Sequence, residues 1–449
     1  MMKKSEFKRA MCCGLGRCVM ELSASENIGK YKDIVLWGCL HDLSFDRFFE
    51  GTRAYYVYQL TEFFRDEMFF LRPVADKFSY LSFTADSDVF AHLCELLCCF
   101  AESGNNFAER VLKENYEKLF AFISGASNQK LRGKASDNFE NLSVFLNSLY
   151  GFSFFCKTCK EIGRLFLQKR GADFLWFYWN GKSKFGKKRV EAFLKKKAAK
   201  DKEYAAFYER MESEDEKETT PNDQEAEAAK LFDRLKKGRE NIQDRFSLRR
   251  IKNTEQAAFL VGMIKSEKDE NRVAQLLQCF DEDCSIPSEE LIGYYEKGSA
   301  ALKREVLRIL SDRQESGLRE FALKALQENG GNGRAVRLLL NNFLSGDEKI
   351  LLSVLKKLKV NYKDSDNWHD AFSAVLSKEF KKQSVPKEVY NYIYENSLCS
   401  FCRGSALRRL AHKRWLTDTI LTECQYDSDC DIRMWAEKRV NRKKHRKNF

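Results

Sequence analysis

Proline is nearly absent from this chain: Pro73, Pro221, Pro287 and Pro386 are the only four in 449 residues. So few helix breakers, in a sequence rich in Leu, Lys, Glu and Ala, exclude proline-rich extended structure and predict helix throughout. Histidine is scarce too. None of His41, His92, His369, His412 and His445 has a histidine or cysteine three or four residues away, and no HExxH occurs. Phosphate-loop chemistry lacks its motif: Gly14-Leu15-Gly16 has no preceding strand pattern and no following lysine–serine pair. A GxSxG nucleophile turn is missing as well. Long apolar runs are also wanting. The longest uncharged stretch, Asn141 to Cys156, is shorter than a membrane span and carries Asn and Ser, so no transmembrane segment is expected. In the first twenty residues Arg17 interrupts the one apolar stretch, which speaks against a secretory leader.

What is present points to a packed, reduced protein. Hydrophobic residues make up 43% and include 36 Phe, ample for a core, and the length suits two domains or one extended array. Fifteen cysteines, an odd number in a long chain, predict free thiols and a cytoplasmic location. Net charge is +12, but it is local. Gly181–Lys202 carries +8 and Arg439–Phe449 carries +6, leaving the remainder at −2.

Apolar residues three and four apart predict helices at Lys32–Cys39, Glu50–Arg65, Glu67–Phe78, Phe90–Ser103, Phe107–Ser124, Phe139–Tyr150, Phe152–Gln168 and Ala172–Asn180. Glu212–Ala229 has eight acidic residues, one lysine, one proline and no large apolar residue, the composition of a solvated linker or a frayed helix. Beyond it the sequence repeats. Ala301–Leu310, Gly317–Leu326, Gly333–Leu344 and Glu348–Leu358 each carry one narrow apolar face, and their starts lie about 15–16 residues apart. Gly330-Gly331-Asn332-Gly333 and Ser345-Gly346-Asp347 stand where hairpin turns are needed. Further helices are predicted at Cys399–His412 and Ser428–Val440. The division that follows is a helical domain over 1–211 with a basic helix at 182–202, an acidic linker at 212–229, a repeat domain over 230–442 and a basic, disordered tail at 443–449.

In Gly317–Leu326 the residues Leu318, Arg319 and Ala322, and in Asp431–Val440 the residues Asp431, Ile432, Arg433 and Ala436, follow one pattern: an acidic turn, an aliphatic–arginine pair, then alanine three residues on. Arg408 and Ala411 match it in part. This resembles the second helix of HEAT repeats, and the chain is similar to bacterial HEAT-repeat proteins of undefined role over about Thr254–Arg442. The resemblance implies an all-α fold, a right-handed α-solenoid of antiparallel helix pairs of HEAT or armadillo type, with an irregular helical N-terminal half. It implies a non-catalytic binding scaffold whose partner is a protein. It also implies a rival, since some bacterial HEAT-like folds are DNA glycosylases that hold alkylated duplex in a basic concave face.

Candidate chemistry is sparse. Cys156 and Cys159 fall on the apolar stripe of Phe152–Phe166, where cysteine behaves as a small hydrophobe. Cys399, Cys402, Cys424 and Cys430 could in principle hold zinc, but the second pair has five intervening residues, and no metal or other cofactor is expected. Asp42, Asp46 and Glu50 near Trp37 read as acidic turn residues beside a helix rather than as a catalytic cluster. The basic segment is the strongest binding candidate, through Lys184, Lys187, Lys188, Arg189, Lys195, Lys196 and Lys197. Phe185, Val190, Phe193 and Leu194 alternate with these cations, predicting a helix with one apolar and one cationic face. Such a face suits nucleic acid or an anionic surface, or is simply solvated opposite the acidic linker. Trp176, Phe177, Tyr178 and Trp179 precede it directly. Four consecutive aromatics point all round a helix, so most are read as core, although aromatics beside cations can stack on bases.

Overall fold

A computed structural model describes the chain except for residues 84–86, 171–172, 216–220, 282–283, 329–331, 345, 359, 363–364, 378–384 and 448–449. The described residues form twenty-six α-helices and no strand, so the protein is all-α. It divides into two compact units. Unit 1 comprises Met1–Lys217, Leu398–Ser400 and Leu416–Phe449; unit 2 comprises Glu218–Ser397 and Phe401–Trp415.

The divide after Lys217 falls inside the acidic stretch, which is helical at both ends. One helix, Lys202–Asp215, runs into it and another, Pro221–Lys236, begins within it. Proline is tolerated in a first helical turn because its missing N–H would have no partner there, and the glutamates are good helix formers. The stretch 212–229, read as a solvated linker or a frayed helix, is thus helical over 212–215 and 221–229, and 216–220 lie outside the described residues. The glycine turn at 330–333 lies partly outside them as well, as does Ser345. The basic tail is helical up to Lys447, at the end of the Cys430–Lys447 helix.

Unit 1 is organised around a 39-residue helix, Gln129–Leu167, broken at Gly151 (φ 73°, ψ −159°). Only glycine enters that region cheaply, so the two helices predicted on either side of residue 151 meet at a sharp kink. The helices Ser87–Glu102, Asn106–Gly125, Leu175–Phe185 and Lys202–Asp215 pack against it. Asn105 and Asn128 cap two of these helices through their side-chain oxygens. Leu416–Phe449, which the sequence groups with the repeats, joins unit 1 instead. Here Arg17 Nε lies 2.8 Å from Glu423 Oε1, Ser428 N–H donates to Gly14 O at 2.8 Å, and Gly16 allows the Glu423 carbonyl so close that a Cβ would sit 2.0 Å from it.

Unit 2 is a succession of short helices in which each touches its immediate neighbour or the next but one. Ser288–Lys297 packs on Ala300–Leu310, Leu318–Glu328 on Gly333–Asn341, and Gly333–Asn341 on Ser365–Leu376. Arginines tie the succession together by donating to carbonyls at the end of an earlier helix and in the connection that follows it. Arg308 donates to Leu277 O at 2.6 Å and Phe280 O at 2.7 Å, and Arg313 to Cys284 O at 2.6 Å and Ile286 O at 2.9 Å. Leu277 closes the Glu270–Leu277 helix, so its carbonyl sits at the negative end of that helix dipole, whereas Phe280, Cys284 and Ile286 lie in the connection before Ser288–Lys297. Arg319, from the HEAT-like pattern, forks onto Asp347 at 3.0 and 2.6 Å, while Ala322 is fully buried. Arg433, from the second such segment, belongs to unit 1 and donates to the Asp427 and Ser428 carbonyls.

Candidate functional site

The seven cations singled out by sequence lie on two helices of unit 1, Leu175–Phe185 and Lys187–Ala198, separated by Gly186 at φ +89°. All seven are exposed. The apolar side of Lys187–Ala198 is closed: Val190 and Leu194 are fully buried, and Phe193 sits against Phe152 and Tyr204 at ring separations of 5.5 and 5.7 Å. The four consecutive aromatics sort cleanly. Phe177 and Tyr178 are core, whereas Trp176 and Trp179 are 50% and 47% exposed. Spacing of three residues puts both indoles on one side of the helix. The one acid of the Lys187–Ala198 helix, Glu191, lies 3.5 Å from Lys182 and 3.8 Å from Lys187. Arg189 stands over the Phe152 ring at 4.2 Å, and Lys184 donates to Ser148 Oγ at 2.6 Å.

A second site, which sequence reasoning missed, lies in unit 2. Side chains from four helices and two connecting segments line a cleft of ≈ 530 Å³. Its arginines are Arg249, Arg308, Arg334 and Arg337, and its carboxylates are Asp281, Asp312 and Asp370. Asp281 lies 3.2 Å from Arg249 Nε and 3.7 Å from Arg308 Nη1; Asp312 pairs with Arg337, and Arg334 Nε lies 3.7 Å from Asp370. Burial, and then the Arg308 charge beside it, hold the Arg249 guanidinium below the usual arginine range. Arg249 Nη2 is buried with no hydrogen-bond partner among the described residues. The cleft therefore displays charge of both signs, anchored from below by arginine–carbonyl bonds. No spacing rule could have found it, since its residues are scattered from 249 to 370.

No family model, curated protein or solved structure matches this chain.

The remaining sequence candidates take structural places. Asp42 accepts from Ser44 N–H and Oγ–H at 2.9 and 2.8 Å, Asp46 caps the short Arg47–Glu50 helix, and Glu50 is buried against Arg53. Cys159 is core, and burial pushes the half-buried Cys156 thiol up to about 11, far from thiolate chemistry at neutral pH. Cys399, Cys402 and Cys424 are buried, whereas Cys430 is exposed. His92 is buried in unit 1, where desolvation pulls its pKa down.

Glu140 was not singled out by sequence, yet it supports the tryptophan-bearing helix. Its carboxylate accepts the Phe177 N–H at 2.8 Å in the first turn of Leu175–Phe185. Burial raises its pKa to about 7, against the pull of that hydrogen bond and with further upward push from Asp173 and Asp137. The folded state thus retains a proton that an unfolded glutamate releases near its ordinary value of 4.5. The stabilisation is fully present below that value and is lost as pH rises through about 7. Urea titrations from pH 4.5 to 8 are expected to show a fall of up to about 3 kcal/mol that disappears in Glu140→Gln. Coincident profiles for the two proteins would refute this environment for Glu140.

Proposed function

We propose that the protein is a non-catalytic binding scaffold in which unit 2 is a HEAT-like α-solenoid and its charged cleft receives a protein partner. The supporting observation is the mixed sign of that cleft. Four arginines and three aspartates, from four helices and two connections, line it together. A polyphosphate would meet three carboxylates there, whereas a protein surface of complementary mixed charge satisfies both signs and gains specificity and register from them. Building a binding surface from side chains of several stacked helices is how helical-repeat proteins work. Fifteen free cysteines, most of them buried, suit a reducing cytoplasmic setting, and no described helix is long and apolar enough to cross a membrane.

The test uses Arg337, a cleft residue near the surface. Arg337→Glu is expected to reduce recovery of the partner in affinity purification by about tenfold or more, as loss and inversion of an interfacial charge should. Nuclease treatment should change nothing, and the triple change Lys187→Glu/Lys188→Glu/Arg189→Glu should leave the partner in place. Recovery that depends on nucleic acid, or is indifferent to Arg337, argues against this reading. Turnover in a base-release assay on alkylated DNA would replace it with the glycosylase alternative.

A further inference from the structure

We propose that the two-helix segment Leu175–Ala198 of unit 1 is a separate binding surface for single-stranded nucleic acid, with Trp176 and Trp179 as base-stacking platforms and the Lys187–Ala198 helix as a phosphate rail. This goes beyond the protein-binding reading of unit 2 and does not depend on it.

The arrangement of the second helix carries the argument. Its solvent side presents Lys188 and Lys195 in one row and Arg189 and Lys196 in another, with the exposed Ala192 between them. Members of each row are seven residues, or two turns, apart, which is about 10.5 Å along the axis. Two parallel lines of cations flanking a small side chain make a shallow track suited to an extended backbone of negative charges. Among the described residues, Lys188, Lys195 and Lys196 have no carboxylate within ion-pair distance, and the one acid of this helix, Glu191, is turned toward Lys182 and Lys187. Among the described residues these charges are uncompensated, which is what a polyanion recruits.

The first helix supplies the second, independent observation. Trp176 and Trp179 are half-exposed although their neighbours Phe177 and Tyr178 fill the core. On one side of a helix, residues three apart have Cβ atoms about 5–6 Å from each other. That places two ring faces within one or two nucleotides of each other, and a base offers a π-face to each. Paired bases are already stacked on one another, so the platform favours a single strand over duplex. A bilayer surface fits less well. Interfacial helices insert a free apolar face, and here Val190 and Leu194 are fully buried.

The test is fluorescence anisotropy of the full chain with a labelled 20-nucleotide single strand, as DNA and as RNA. The duplex of the same sequence, an abasic deoxyribose-phosphate oligomer of equal charge and phosphatidylserine vesicles serve as comparisons. Binding to one or both single strands is expected, the tighter of the two naming the sugar. If four cations engage phosphates, affinity falls about fifty-fold between 50 and 200 mM salt. Trp176→Ala and Trp179→Ala should each weaken binding about tenfold with little change in salt dependence. Lys188→Glu/Lys195→Glu/Lys196→Glu, confined to exposed side chains, should abolish it. Equal affinity for the abasic oligomer or the duplex, vesicle binding without oligonucleotide binding, or no binding at all would overturn the proposal.

Discussion

Glu50→Ala is expected to destabilise unit 1 by about 3–5 kcal/mol, the range for stranding one member of a buried ion pair. Glu50 and Arg53 side chains are 3% and 4% exposed, with Arg53 Nη2 at 3.2 Å from Glu50 Oε2. Neither charge is satisfied by its partner alone. Glu50 also accepts the Ser400 N–H at 2.7 Å and the Phe45 N–H at 3.3 Å, while Arg53 donates to the carbonyls of Cys12 and Leu398. Deleting the carboxylate leaves a desolvated guanidinium and two unpaired amides, whereas Arg53→Met/Glu50→Leu removes both charges and should recover part of the loss. Urea unfolding followed by far-UV circular dichroism measures both. A change below about 1 kcal/mol for Glu50→Ala would contradict the buried pair.

Gly163→Ala should cost about 3 kcal/mol, at the upper end for overpacking, because the obstruction is backbone. A Cβ at residue 163 would lie 1.8 Å from the Glu203 carbonyl oxygen and 2.7 Å from its carbon, so the Lys202–Asp215 helix would have to move bodily. That helix carries Tyr204 and Phe207, which pack against Phe193 and Phe177, so the variant should also loosen the cationic rail and weaken oligonucleotide binding. Gly133→Ala is the control. It lies in the same long helix with nothing within 4 Å of its would-be Cβ, and it should gain about 0.5–1 kcal/mol from helix propensity alone. Equal effects at the two positions would contradict the close crossing at Gly163.

Helix placement was largely legible because apolar spacing is a local signal. Lys32–Cys39 is observed with the bounds the spacing predicts, and Ala301–Leu310 differs by one residue at its start. The break at Gly151 was legible too, since the apolar stripe restarts at Phe152. Long-range choices were not. The C-terminal helices carry the same arginine–alanine pattern as the repeats, yet they belong to unit 1 through Glu423, Tyr426 and Ser428, contacts that depend on how closely Gly14 to Arg17 can be approached. Glu50 read only as an acidic turn residue beside a helix, because burial of an ion pair leaves no trace in composition. The cationic face of Lys187–Ala198 followed from helical period, but which of four adjacent aromatics reach solvent depends on where Phe155 and Phe207 pack. The unit 2 cleft was invisible for a different reason: each arginine occupies an ordinary helix position, and only stacking brings Arg249 beside Arg308.

The central claim is that the unit 2 cleft holds a protein. A photo-crosslinking amino acid substituted for Arg334, on the cleft wall beside Asp370, tests it in the intact chain inside cells. A discrete protein adduct is expected, resistant to nuclease and lost when Arg337→Glu is added. Adducts that are nuclease-sensitive, or a protein adduct that survives Arg337→Glu unchanged, would contradict the claim.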